Sequence, residues 1–92
     1  MAQAHQFRLR REPGARPYGV LRNEIVKGRK AAGLTQADVA ERIGRPQSFI
    51  AKVERGERSL DVVEFVAVAT VIGLDVTKAL AAVAAELSAT RD

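Results

Sequence analysis

The order of apolar and polar positions changes character near Tyr18. Residues 1–17 show no helical period, and Pro13, Gly14 and Pro17 interrupt any continuous element. This segment reads as a basic flexible arm, in which Phe7 and Leu9, alternating with Arg8 and Arg10, fit a short strand. From Tyr18 onward apolar residues recur at helical spacing. A first helix is expected from about Gly19 to Ala32, with Leu21, Ile25 and Gly28 on one face and Gly33 as its stop. A second begins at a well-marked cap: Thr35 has Asp38 three residues on, and Leu34 before the cap can pack on Val39. Its inner face is Val39, Ala40 and Ile43, and Gly44 ends it. A third helix is expected to start near Pro46, which suits a first helical turn, to hold Ile50 and Val53 inward and to end before Gly56. Asp61 and Glu64 announce a fourth, running to Ile72 before Gly73, and a fifth spans about Val76 to Leu87. The pattern predicts an all-α domain over residues 18–88, an arm over 1–17 and a tail over 89–92.

The spacing between the second and third helices carries the functional signal. Only Gly44, Arg45 and Pro46 separate them. Helices joined so tightly cross steeply, at about 90–120°, which is the helix-turn-helix unit. Gly44 relieves the turn of the Cβ clash of a left-handed backbone. With Ala40, Ile50 and Val53 buried between the helices, Gln47, Ser48, Ala51, Lys52 and Arg55 are expected to face outward. Gln, Ser and Lys reach base edges in a major groove, and Lys and Arg neutralise phosphates.

The run Gly33-Leu34-Thr35-Gln36-Ala37-Asp38-Val39-Ala40-Glu41-Arg42-Ile43-Gly44, followed by Gln47-Ser48-Phe49-Ile50 and Val53-Glu54-Arg55-Gly56-Glu57-Arg58, resembles the Cro/repressor-type (XRE) helix-turn-helix family. The resemblance covers about Leu21 to Leu80. It implies a five-helix lambda-repressor-like DNA-binding domain whose third helix enters the major groove of an operator. It further implies that Gln36 contacts a phosphate and buttresses the first residue of the recognition helix. Base-reading positions then fall on Gln47, Ser48 and Lys52, with Ala51 against a thymine methyl. Arg45, Arg55 and Arg58 fall along the DNA backbone. The same resemblance pairs Arg29 of the first helix with Glu54 inside the domain, where an unpaired acid would repel phosphate. Two positions depart from the family pattern: Pro46 replaces a capping Ser or Thr, and Phe49 replaces a small polar residue. Phe49 is expected to be partly buried, the competing role being stacking or a methyl contact.

Composition narrows the class without changing the picture. Ninety-two residues suit one domain. Residues 1–30 carry eight Lys/Arg against Glu12 and Glu24, a balance of +6, whereas residues 59–92 carry Lys78 and Arg91 against five acids, a balance of −3. Such asymmetry suggests one end held against a polyanion. Arg8, Arg10, Arg11 and Arg16 are then either solvated or an arm along the minor groove or the backbone. Cysteine is absent, His5 is the one histidine, and neither a phosphate-cradling glycine loop nor an acid pair in a cleft is evident. No catalytic residues, metal or cofactor are expected. Without an apolar signal segment or a run of about 18 apolar residues, a cytoplasmic, nucleoid-associated protein is the default expectation.

A single helix-turn-helix reads only a few base pairs, so a homodimer on a pseudo-palindromic operator is expected. The fourth helix is apolar nearly all round. Val62, Phe65, Ala69 and Ile72 are assigned to the core, leaving Val63, Ala67 and Val71 as a second stripe, extended by Leu80, Val83 and Leu87 of the fifth helix. Exposed stripes of this kind mark interfaces; the alternative is a monomer with helix five folded back over helix four. A sequence-specific transcriptional regulator, with repression the favoured mode, is therefore the leading reading. Antitoxin-type autoregulators and restriction-modification controllers fall within it. The rival from another class is a protein-interaction module on the same fold, an antitoxin or antiactivator that binds another regulator or toxin.

Overall fold

The structure, a computed structural model, describes Leu9 and residues 16–90. The proposed strand at Phe7–Leu9 and the arm residues Arg8, Arg10 and Arg11 fall outside the described residues, apart from Leu9, which is in no regular element. Among the described residues five helices form: α1 (Arg16–Ala31), α2 (Gln36–Ile43), α3 (Gln47–Glu54), α4 (Val62–Ile72) and α5 (Val76–Thr90). None is long and apolar enough to cross a membrane.

Local chemistry sets most of the boundaries. Thr35 and Asp38 form a reciprocal capping box at α2: Asp38 N–H donates to Thr35 Oγ1 at 3.0 Å, and Thr35 N–H donates to Asp38 Oδ2 at 2.9 Å. Asp61 and Glu64 repeat it at α4, at 2.7 and 3.0 Å. Gly44 takes a left-handed φ of 69°, which lets Arg45 N–H reach back to the Ala40 carbonyl at 2.9 Å and turn the chain towards α3. A side chain at that φ would cost about 1–2 kcal/mol. The start of α1 differs from expectation. Pro17 does not break the element but lies in the first turn of α1, where a missing N–H forfeits no helical bond. Arg16 accordingly belongs to the helix and not to the arm.

The core gathers Ile25 of α1, Val39 and Ala40 of α2, Phe49, Ile50 and Val53 of α3, Phe65, Val68, Ala69 and Ile72 of α4, and Ala79 of α5. α2 packs on both α3 and α4, and α1 on α3, α4 and α5. Gly28 permits the close approach of α1 to the end of α4, since a Cβ there would stand 3.1 Å from Ile72 Cδ1.

The expected division of α4 is corrected. Val62 has the right helical phase but occupies the first position of the helix and is 77% exposed, and Val68 fills the core instead. Val71 packs against the core and Ala67 is half-buried, so neither belongs to a free stripe. The exposed apolar set is Val62, Val63 and Val66, with Leu80 on α5. α5 also finds its main partner in α1 and not in α4. Val83 and Leu87 are half-buried there, not projecting. Arg16 clasps this pair of helices, its Nε and Nη2 donating to the Glu86 carboxylate at 2.9 and 3.1 Å.

Candidate nucleic-acid interface

α3 follows the tight turn at Gly44, with Pro46 as an N-cap that offers no side-chain hydrogen bond. Its buried side is Phe49, Ile50, Ala51 and Val53, and its exposed side is Gln47, Ser48 and Lys52, continued by Arg55 at the C-cap. The outward placement of Ala51 is therefore corrected: it is 8% exposed, its single methyl lying between longer side chains one turn away on either side, Gln47 and Arg55. Lys52 is exposed and makes no ion pair among the described residues.

One flank of α3 is anchored by a chain of hydrogen bonds that crosses three helices. Arg29 of α1 donates through Nε and Nη2 to the two oxygens of Glu54, at 2.6 and 2.8 Å, and through Nη1 to the Leu34 carbonyl at 2.9 Å. Gln36 at the start of α2 donates to Glu54 Oε1 at 2.8 Å, and Gln47 donates to Gln36 Oε1 at 2.8 Å. Burial by itself would raise the pKa of Glu54. Hydrogen bonds from Arg29 and Gln36, helped by the charges of Arg29 and Lys30, outweigh it and hold the group below its ordinary value. The two side chains are only 12% and 8% exposed, so the pair is an internal brace with two planar groups in register. At its far end the chain holds the Gln47 amide in place at the mouth of the exposed face. The structure thus brings Arg29 together with Glu54, and Gln36 together with Gln47.

The opposite flank holds Phe49, which was expected to be partly buried and is instead a core residue, 8% exposed. Two guanidiniums lie over its ring, Arg45 at 4.7 Å and Arg58 at 4.4 Å from the centroid. Both are paired with Glu64 of α4: Arg45 Nη1 donates to Oε2 at 3.0 Å, and Arg58 donates to Oε1 and Oε2 at 3.0 and 3.1 Å. Arg55 is paired with Glu57. The three arginines expected along a DNA backbone thus each have a carboxylate partner, which sequence spacing did not indicate. Glu64 was legible only as the capping acid of α4, because its arginine partners lie six and nineteen residues before it. Among the described residues no cluster of acids or histidines could hold a metal ion; His5 lies outside them.

The hydrogen bond from Arg58, that from the Asp61 backbone and that from Arg45 lower the Glu64 pKa from 4.5 to about 2, against the opposing effect of burial. A carboxylate with a depressed folded-state pKa contributes stability that is present above its unfolded pKa and is lost as pH falls through the folded value. Glu64→Gln should therefore flatten the fall of melting temperature between pH 4.5 and about 2. Thermal melts of both proteins across that window check this; parallel curves would contradict it.

A family model described as "Helix-turn-helix" matches residues 25–78. An XRE-family like protein from Pseudomonas syringae pv. tomato str. DC3000 is 43% identical over 76% of this chain and 85% of that one, with a TM-score of 0.70. The clp gene regulator ClgR from Corynebacterium glutamicum is 20% identical, over 83% of this chain and 81% of that one, with a TM-score of 0.69. A wild-type restriction-modification controller protein is 21% identical, over 73% and 88%, with a TM-score of 0.63. The latter two share the fold. No curated protein sequence matches the chain.

Proposed function

Because this chain belongs to the XRE-type helix-turn-helix family of DNA-binding transcription regulators, we propose that it binds a specific duplex site with α3 in the major groove. The observation that carries this reading is the hydrogen-bonded run Arg29–Glu54–Gln36–Gln47. It fixes the amide of Gln47, the first residue of α3, on the same exposed polar face as Ser48 and Lys52. In this reading Gln47, Ser48 and Lys52 meet base edges, and Gln36 and Arg55 lie near phosphates. The buried Ala51 plays a minor part.

The reading extends to a homodimer on a pseudo-palindromic operator with half-sites about 34 Å apart. The valines Val62 and Val63, 77% and 78% exposed, and Val66, 43% exposed, are the surface we assign to the two-fold contact. A dimer seated over a promoter excludes polymerase, so the protein acts as a repressor, at the nucleoid. Val63→Glu should convert the dimer to a monomer in sedimentation equilibrium and weaken operator binding at least tenfold. An unchanged mass would contradict this surface. The same valines are the specific feature that fits the rival reading, in which another regulatory protein covers them.

The test of DNA recognition is binding to a duplex selected from a random-centred library and to an unselected duplex, across a salt series. The selected duplex should bind about a thousandfold or more tighter, both affinities falling steeply with salt. Equal affinities would leave only non-specific binding.

A further inference from the structure

We propose that Glu64 is a positioning residue for DNA-backbone binding, gathering Arg45 and Arg58 over Phe49 into a preformed arginine clip for a phosphate beside the recognition helix. The inference rests on the DNA-binding reading above and adds to it a second anchoring point on the other flank of α3. Gln47 and Phe49 are two residues apart, a little over half a helical turn, so the hydrogen-bonded chain at Gln47 and the arginine cluster at Phe49 stand on opposite flanks of the exposed face. DNA backbones run along both sides of a groove that holds a helix, so each flank needs its own backbone contact.

The cluster has the properties of a site made ready and not of a spent ion pair. Arg45 comes from the turn before α3 and Arg58 from beyond its end, yet both converge on one carboxylate. Two like charges this close need a counter-ion, and Glu64 is itself fixed by its capping bonds with Asp61. Both guanidiniums share the Glu64 carboxylate, while the Asp61 carboxylate acts on Arg58 only through its charge. Arg45 Nε–H and Nη2 make no hydrogen bond among the described residues, and the two side chains remain 43% and 41% exposed. The Phe49 ring closes the inner side. Long arginine side chains lose rotamer freedom when they bind; here that ordering is already in place in the free protein.

Simple electrostatics predicts the reverse effect for Glu64, since removing an acid near DNA should tighten binding. The two accounts therefore part on Glu64→Gln, which keeps an acceptor oxygen for the helix cap and removes the charge. The probe is the duplex that the wild-type protein selects from a random-centred library, at a temperature where melts show every variant folded. We expect Glu64→Gln to bind it about fivefold more weakly, with the salt slope reduced by about one. In an Arg45→Gln/Arg58→Gln background the same change should add no further loss. Unaltered or tighter binding by Glu64→Gln would overturn the proposal, with Glu64 then withholding its arginines from DNA. An equal loss in the arginine-free background would overturn it too, by making the effect one of general stability. Absence of duplex binding by the wild-type protein would instead remove the DNA-binding reading itself, and this inference with it.

Discussion

Arg29→Met is expected to lower folding stability by about 2–3 kcal/mol, because it leaves Glu54 enclosed without its main partner. For a domain of this size that is a fall in melting temperature of about 10–20 °C. Glu54 retains only the Gln36 amide as a side-chain donor once Arg29 is gone, with the charge of Lys30 nearby, and the carbonyl of Leu34 loses its guanidinium donor. Its folded pKa would then rise, since burial is the largest single influence on it and the stabilising bonds from Arg29 are removed. The companion change Arg29→Met/Glu54→Leu replaces both charges by apolar groups of similar size, and most of the stability should return. DNA recognition should not return with it. Gln36 would have no carboxylate to hold, Gln47 would lose its fixed acceptor, and affinity for the selected site should stay about tenfold below wild type. Chemical denaturation and duplex titration of the single and double variants measure the two effects separately. A double variant that recovers both would show that the pair is structural alone.

Gln47→Ala and Lys52→Ala are expected to weaken binding to the selected site by about 1–3 kcal/mol each, with different signatures. Gln47 ends a chain of hydrogen bonds, so its amide presents one fixed pattern of donor and acceptor. Its loss should relax preference at one base pair per half-site and leave the salt slope unaltered. Lys52 is exposed and makes no ion pair among the described residues. Its ammonium acts as a point charge, so its removal should also reduce the salt slope by about one. Titrations against the selected duplex and its single-base variants, at several salt concentrations, separate the two. If the specificity profile of Gln47→Ala matches that of wild type, Gln47 does not read bases.

The two capping boxes, the glycine stops and the three-residue turn were legible because each rests on residues within three or four positions of one another. The helix-turn-helix and its exposed Gln47, Ser48 and Lys52 followed from them. What failed to show in the sequence was decided by distant parts of the chain. α4 is apolar at almost every position, so its period carried no phase, and the choice of Val68 over Val62 came from how α1 and α2 pack on it. Pro17 was misread because a proline ends a helix in one position and begins one in another. The ion pair of Arg16 with Glu86 spans seventy residues, beyond any local pattern. Arg45, Arg55 and Arg58 were placed by the family resemblance, which carried no sign of their pairing with Glu64 and Glu57. The Arg29–Glu54 pair, twenty-five residues apart, was visible only through the family resemblance.

The exposed face of α3 is proposed to read base sequence in duplex DNA. Selection from a random-centred duplex library tests it most directly. One two-fold-related sequence should be enriched, its half-sites about one helical turn apart, with Gln47→Ala relaxing one defined position in each half. A folded protein that enriches no sequence, or binds no duplex at low salt, would contradict it.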